Sequence, residues 1–329
     1  MRMKKAFGSI FLLLICMVAF GQKNFRKQNV SFKIVGYYFL VSALNNPIYA
    51  DSNYLFLNKI THLNIAFINP DTSGNFDQQL AIDTLIKKAH EKKVKVLASL
   101  GGGGYHQYFK TLLDQANRES FISNLLLLVK RYDLDGIDVD LEGSDIGDNY
   151  GSFITELAAS LHHSKKLITA AIATTYKDQL PDEAIHKFDF VNIMSYDRWG
   201  PWRPQDPGDP SPYTMAEEDL NYWHNDRSIP KEKMILGLPF YGYGFSAPDS
   251  PVVSMNYQQI STLYPDKLSS DTLLLPGNVT MYFNNMATIK SKTKLAMQEA
   301  GGVMIWQLLG DAKGTYSLLD AIYDMVHGK

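Results

Sequence analysis

Short apolar runs alternate with longer segments of helical spacing from about residue 32 to the end of the chain. The runs are rich in β-branched and aromatic residues and have the length of buried strands, whereas the segments between them suit crossover helices. Eight strands are predicted: Phe32–Phe39, Ile60–Ile68, Val94–Leu100, Gly136–Glu142, Leu167–Ala173, Phe190–Tyr196, Met234–Phe240 and Gly302–Trp306. Strand and helix repeated eight times predicts an α/β fold, a single closed (β/α)8 (TIM) barrel.

Helical spacing is clearest in Leu80–Lys92 and Phe121–Tyr132. Between the seventh and eighth strands, Met286–Ala300 is predicted as an ordinary barrel helix. The remaining residues there are too few for a full-size α+β insertion. Because the active sites of such barrels lie at the C-terminal ends of the strands, we search for chemistry at those positions.

The N-terminus carries a basic segment, Met1–Lys5, followed by the apolar stretch Ala6–Phe20 and a small residue, Gly21. The stretch is shorter than the about 20 residues that cross a bilayer, which favours a cleaved signal over a membrane anchor. A lipid attached at Cys16 is disfavoured by the bulky Ile15 before it. We predict a signal peptide at 1–21, a mature domain at 22–329 and export to the periplasm or the extracellular space.

The composition excludes several kinds of partner and catalytic group. The chain has 329 residues, of which 45% are hydrophobic, and a net charge of −2, so it has no positive field that would collect nucleic acid. Its single cysteine, Cys16, lies in the apolar N-terminal stretch, which excludes a disulfide framework or a catalytic thiol from the folded part. Carboxylates, hydroxyls and aromatic rings must therefore supply the chemistry. Neither a protein partner nor an organic cofactor is implied.

The predicted fourth strand carries three acids at alternate positions. Asp138, Asp140 and Glu142 alternate with Ile, Val and Leu, and a period of two places the acids on one face. If the aliphatic face packs under the helices, the acids point into the barrel. Desolvation and mutual repulsion then raise at least one pKa, so we expect a protonated carboxyl near neutral pH that can act as a general acid.

Two other interpretations of these motifs fail. As a calcium loop starting at Asp138, the segment has Glu142 where Asp or Asn is needed and Asn149 where a bidentate Glu is needed. The glycines of 101–104 lack both the Lys-Ser/Thr of a phosphate loop and the third glycine of a dinucleotide fingerprint. No metal site is predicted.

Residues 135–142 resemble the DGxDxDxE signature of glycoside hydrolase family 18, the chitinase family. The resemblance extends over the mature chain, at the ends of strands that the pattern already predicts. Further matching segments are GYYF at 36–39, SLGG at 99–102, MSYD at 194–197, GLPFYG at 237–242 and GVMIW at 302–306.

The resemblance implies a substrate-assisted retaining mechanism, an exception to the two-carboxylate glycosidase scheme. Glu142 would protonate the glycosidic oxygen and later activate water, while the substrate's own 2-acetamido oxygen attacks the anomeric carbon. Asp140 would hold the acetamido N–H and Tyr196 the acetamido carbonyl oxygen. Asp138 would share a proton with Asp140.

The resemblance also implies a set of substrate-binding residues. Tyr37 and Ser99 would supply hydrogen bonds around Asp138, and Trp306 would form an apolar floor under the sugar. The remaining substrate-binding positions are Phe39, Gly101, Gly102, Met194 and Asp197. Trp199 and Trp202 either extend the platform or hold a Pro-rich loop in place.

Three functions remain open. The first is hydrolysis of β-1,4 links between N-acetylglucosamine units in chitin or its oligomers, and the second is an endo-β-N-acetylglucosaminidase acting on N-glycan cores. Gly103 and Gly143 leave room for the second, because they replace an aromatic residue and a tyrosine that are frequent in chitinases. The third is a non-catalytic sugar-binding barrel, which the presence of Glu142 disfavours.

Overall fold

The computed structural model describes residues 32–40, 54–76, 81–247 and 250–329. The predicted signal peptide at 1–21, including Cys16, lies outside these residues. Within the described ranges, no helix is both long enough and apolar enough to cross a membrane.

Eight parallel strands form a closed barrel, which confirms the predicted fold. The strands of the molecule are β1 (Lys33–Phe39), β2 (His62–Ala66), β3 (Lys95–Gly101), β4 (Gly136–Asp140), β5 (Leu167–Ile172), β6 (Phe190–Ile193), β7 (Met234–Pro239), β8 (Tyr241–Phe245), β9 (Val253–Asn256), β10 (Thr272–Leu275), β11 (Val279–Phe283) and β12 (Gly302–Trp306). Around the barrel the order is β1-β12-β7-β6-β5-β4-β3-β2. Each predicted strand overlaps one strand of the barrel, and seven of the eight contain it entirely; β3 extends one residue past its predicted end, to Gly101.

Helices follow the barrel strands. They are α1 (Asp83–Glu91), α2 (Tyr108–Leu112), α3 (Arg118–Arg131), α4 (Tyr150–His163), α5 (Asp182–Ile185), α6 (Tyr213–Asn221), α7 (Tyr257–Leu263), α8 (Met286–Glu299) and α9 (Leu318–His327). A π-helical turn, Tyr222–Asp226, continues α6. The predicted helices correspond to α1, α3 and α8.

A small α+β unit lies between the seventh and eighth barrel strands. Its antiparallel sheet has the order β10-β11-β8-β9, and α7 follows β9. Each strand has only four or five residues and the helix has seven, so the insertion is not full-size, as predicted. The pattern did not predict these strands individually, because they are too short to show a period.

The acidic strand is oriented as its alternation requires. Ile137 and Val139 are fully buried in the large core between barrel and helices, while Asp138 and Asp140 point into the barrel interior. The strand ends at Asp140 instead of the predicted Glu142. Glu142 itself precedes a short 3-10 turn, Gly143–Asp145, at the mouth of the barrel.

Candidate active site

A cleft of about 660 Å³ opens at the C-terminal ends of the barrel strands. Its lining includes six of the twelve predicted site residues: Asp140, Glu142, Met194, Tyr196, Asp197 and Trp306. These side chains come from the end of β4 and the loop after it, from the loop after β6 and from the end of β12.

Asp138 lies beneath the cleft, fully buried, and accepts hydrogen bonds on both carboxylate oxygens. Its Oδ2 accepts from the hydroxyls of Tyr37 and Ser99, each at 2.7 Å, as the resemblance implied. Its Oδ1 accepts from the Thr169 hydroxyl at 2.5 Å and from the Asn192 amide at 3.2 Å. Tyr37 and Ser99 therefore orient an acid under the cleft and are themselves buried.

The sharing of a proton between Asp138 and Asp140 stays a prediction. Within the described part of the chain no hydrogen bond joins the two carboxyls, and the four donors to Asp138 come from β1, β3, β5 and β6. Burial raises the pKa of Asp138, and these donors oppose the increase.

Asp140 is 3% exposed, and its Oδ1 has no hydrogen-bond partner in the structure. Burial holds the pKa of Asp140 well above its usual range, and the charges of Glu142 and Asp138 raise it further. A buried acceptor without a donor is costly, so this oxygen can bind a donor that a ligand brings.

Glu142 is partly exposed in the cleft, and its pKa is raised to about 7. Burial is the largest cause, the charge of Asp197 adds to it, and a hydrogen bond from the Tyr176 hydroxyl acts in the opposite direction. Gly143, the next residue, has a φ of 53°, and a Cβ placed there would lie 3.6 Å from the Tyr176 ring. Because its pKa is about 7, Glu142 titrates near neutral pH, as a general acid and base must.

Tyr196 and Asp197 follow β6 and face the same cleft. The Tyr196 hydroxyl lies 3.8 Å from the Met304 sulfur, and its ring contacts Tyr241 of the insertion edge-on at 6.1 Å. Asp197 has a φ of 64° and accepts a hydrogen bond of 2.5 Å from the Tyr241 hydroxyl. Desolvation raises the pKa of Asp197, while Tyr241 and Tyr243 lower it through hydrogen bonds.

Trp306 ends β12 in a cluster of aromatic rings. Its ring is stacked on Phe67 at 5.6 Å and lies 5.9 Å from Phe39 and 5.5 Å from Tyr37. Three rings thus hold the indole in place while it lines the cleft. Phe39 is one of these three supporting rings and is not among the residues that line the cleft.

The two tryptophans after β6 have different roles. Trp202 is 55% exposed and lines the cleft, where its ring meets Tyr243 edge-on. Trp199 instead donates a hydrogen bond of 3.2 Å to Asp206 and packs against the Arg203 guanidinium. Of the two interpretations left open, Trp202 fits the platform and Trp199 fits the loop support.

Gly101 and Gly102 are buried behind the cleft. Both have positive φ, and a Cβ at Gly101 would lie 2.3 Å from the Asp140 carbonyl, while one at Gly102 would lie 2.3 Å from the Phe67 ring. They allow the end of β3 to approach β4 and Phe67. The exposed glycines that line the cleft are Gly103 and Gly104.

Sequence reasoning missed several residues of the site. Thr169 pairs with Asp138 in register, as Ser99 does on the other side, so its position on the predicted fifth strand was a usable signal. Tyr176 comes from a segment with no recognisable pattern, whereas Tyr241 lies in the matching GLPFYG segment at 237–242 but was not assigned a role. In the described ranges no group of three or more His, Cys, Asp or Glu side chains could hold a metal ion.

A closed (β/α)8 barrel with carboxyls of raised pKa at its C-terminal mouth has the groups that acid–base hydrolysis of a glycosidic bond requires. The family model of glycosyl hydrolases family 18 matches residues 33–311, so the chain belongs to that family. The resemblance based on the motifs is confirmed.

Solved structures of chitinases are similar over most of the chain. The GH18 chitinase ChiB from the chitin utilization locus of Flavobacterium johnsoniae is 35% identical, covers 90% of this chain and 94% of its own, and has a TM-score of 0.82. A chitinase from Bacteroides thetaiotaomicron is 26% identical, with coverage of 90% and 97% and a TM-score of 0.73.

Curated relatives have more varied names. The oviduct-specific glycoprotein of Homo sapiens is 25% identical over 78% of this chain, and a chitinase-like effector of Moniliophthora roreri is 28% identical over 57% of it. These matches cover 46% and 54% of those proteins, so the chain spans about half the length of the curated relatives it matches.

Proposed function

We propose that this protein hydrolyses β-1,4 links between N-acetylglucosamine units of chitin or chito-oligosaccharides, with retention of configuration. The observation that carries the proposal is Glu142, a cleft carboxyl whose pKa of about 7 leaves it protonated in part of the population at neutral pH. The similarity to chitinases, above all that of Flavobacterium johnsoniae, supports chitin-type substrates.

In the first half of the reaction, Glu142 transfers its proton to the glycosidic oxygen as the bond from that oxygen to the anomeric carbon breaks. The leaving sugar departs as an alcohol. The carbonyl oxygen of the substrate's 2-acetamido group bonds to the anomeric carbon on the opposite face, which forms an oxazolinium ion. The protein supplies no nucleophile in this step.

In the second half, the Glu142 carboxylate removes a proton from water, and the water oxygen attacks the anomeric carbon. The bond to the acetamido oxygen breaks, and the product retains the β configuration. Glu142 regains its proton, so the cycle is balanced without a cofactor.

Asp140 and Tyr196 orient the acetamido group. The unpartnered Oδ1 of Asp140 would accept the acetamido N–H, and this interaction strengthens as positive charge develops on the ring. The Tyr196 hydroxyl would donate to the acetamido carbonyl oxygen and align it for attack. Trp306 would stack under the sugar at the cleavage point.

Parallel incubation with chitotetraose and with a high-mannose glycoprotein, followed by mass spectrometry, tests the substrate. We expect shorter N-acetylglucosamine oligomers from chitotetraose and an unchanged glycan on the glycoprotein. Release of the glycan would favour an endo-β-N-acetylglucosaminidase, and two intact substrates would indicate a non-catalytic sugar-binding protein.

We also propose that the protein is exported, on the basis of residues 1–21. Expression of the full chain in a Gram-negative host and N-terminal sequencing of the exported protein test this. The expected mature sequence begins at Gln22, whereas an unprocessed protein retained in the cytoplasm contradicts export.

A further inference from the structure

Lys292 of α8 is a fully buried cation on the outer side of the barrel. Its ammonium donates to three neutral oxygens: the Ser211 carbonyl at 2.5 Å, the Ser211 hydroxyl at 2.6 Å and the Asn284 side-chain oxygen at 2.7 Å. Burying an ammonium is costly unless hydrogen bonds compensate, and these three contacts offset that cost.

The ammonium joins three segments that are distant in the chain. Ser211 lies in the loop after β6, Asn284 follows the last strand of the insertion, and Lys292 lies on the barrel helix. The Asn284 amide also donates to the Ser211 carbonyl at 2.9 Å. The insertion and the loop are thereby fixed to one point of α8.

This point connects to the active site through one further bond. The Ser211 hydroxyl, which accepts from Lys292, donates to the Ser195 carbonyl at 2.6 Å. Ser195 directly precedes Tyr196 and Asp197, and Asp197 holds the left-handed φ of 64° that only surrounding contacts maintain in a residue other than glycine. The hydrogen bond restrains the backbone immediately before that turn.

Burial lowers the pKa of Lys292 to about 8, and the charges of Asp209, Asp271 and Asp219 act in the opposite direction. At neutral pH the amine is therefore mostly protonated. All three of its donors are then present, as the three contacts require.

We propose that Lys292, acting through Ser211, is a positioning residue that holds Tyr196 where its hydroxyl meets the substrate's acetamido group. The inference rests on the proposed function. It assigns a positioning role to Lys292 and Ser211, which lie behind the site and do not contact the substrate. An error of about 1 Å in the position of a reacting group is enough to cost up to about a hundredfold in rate.

The test removes the Ser211 hydroxyl, which links Lys292 to the Ser195 carbonyl. The Lys292 ammonium keeps two acceptors, the Ser211 carbonyl and the Asn284 side-chain oxygen. Ser211→Ala is expected to lower kcat for chitotetraose about tenfold while KM changes less than about twofold, because the hydroxyl acts on alignment in the transition state. In a Tyr196→Phe background, the same change is expected to lower kcat no more than about twofold, since the hydroxyl it positions is already absent.

Ser261→Ala serves as the matched control. Ser261 is buried on α7 and its hydroxyl donates to a backbone carbonyl, that of Gln258, at 3.0 Å. The kcat of the Ser261→Ala variant is expected to equal that of the unmodified chain. If Ser211→Ala does not fold, Ser211→Cys, which keeps the volume with a weaker donor, replaces it in the same comparison.

Three results overturn the proposal: an unchanged kcat in the Ser211 variant, a full tenfold loss repeated in the Tyr196→Phe background, or an equal loss in Ser261→Ala. Absence of turnover by the unmodified chain would overturn the proposed function instead. The positioning is then tested by crystal structures of the unmodified and Ser211→Ala chains. A Tyr196 hydroxyl displaced by about 1 Å supports it, and an unmoved hydroxyl contradicts it.

Discussion

At the scale of the residue, the proposed mechanism makes the titration of Glu142 set the pH range of activity. The pKa of Glu142 is raised to about 7, and the proposed first step needs its acid form. We therefore expect kcat/KM to decrease tenfold per pH unit above about pH 7, as the proton is lost from the free enzyme. A pH–rate profile with chitotetraose measures this, and activity that stays constant up to pH 9 contradicts the assignment.

Removing the carboxyl tests the same residue directly. Glu142→Gln keeps the shape of the side chain but can neither give a proton nor take one from water. We expect kcat to fall at least about a thousandfold while chitotetraose binding, measured by calorimetry, stays within about threefold. A variant that keeps a tenth of the wild-type rate would show that another group is the acid.

Tyr176 adjusts the pKa of Glu142 from the 3-10 helix Thr174–Gln179, which follows β5. Its hydroxyl lowers the pKa of Glu142, so Tyr176→Phe raises that pKa, and the alkaline limb of the profile is expected to shift to higher pH. Tyr105→Phe, at an exposed position in the loop after β3, is the matched control and should leave the profile unchanged. A limb that does not move in the Tyr176 variant would mean that the hydroxyl does not act on the acid.

At the scale of the element, the end of β3 determines how close Phe67 lies to the site. Gly102 has a φ of 93°, and a Cβ there would lie 2.3 Å from the Phe67 ring, whereas the atom nearest a Cβ at Gly103 is Glu142 Oε1, at 3.8 Å. We expect Gly102→Ala to reduce the free energy of unfolding by at least about 2 kcal/mol and Gly103→Ala by less than about 0.5 kcal/mol. Urea unfolding of both variants measures the difference, and equal values would contradict the packing described at this strand end.

Also at this scale, the eight barrel strands could be predicted because each combines a buried apolar run with turn residues on both sides. The predicted ends of two strands were wrong: β4 stops at Asp140 instead of Glu142 and β6 at Ile193 instead of Tyr196, since the residues beyond them turn into loops that build the cleft. The strands of the insertion could not be predicted, because a strand of only four or five residues is too short for a period to be recognised.

For the same reason, the sequence predicted the site only in part. The three acids of the predicted fourth strand follow from alternation, and Tyr196 and Trp306 follow from the family motifs. The roles of Tyr176 and Tyr241 and the Lys292 connection arise from contacts between segments far apart in the chain, which no local pattern encodes.

At the scale of the whole molecule, the site reduces stability. Glu142 binds its proton more tightly in the folded state, where its pKa is about 7, than at its ordinary value of 4.5. The ionised form is therefore destabilising above pH 7, and this cost disappears as the pH falls towards 4.5. The shift corresponds to at most about 3 kcal/mol, which partial exposure reduces.

Glu142→Gln should consequently be more stable than the unmodified chain by about 2 kcal/mol at pH 8 and by less than about 1 kcal/mol at pH 5. Urea unfolding at the two pH values checks both the size and the sign of the effect. A difference that is independent of pH would show that Glu142 does not retain a raised pKa in the folded protein.

The central claim is that the substrate's acetamido group attacks the anomeric carbon while Glu142 protonates the glycosidic oxygen. Proton NMR of the first products released from chitotetraose, recorded before mutarotation, tests it most directly. The account predicts that the new reducing end appears as the β anomer. Initial formation of the α anomer would mean direct attack by water with inversion and would contradict the account.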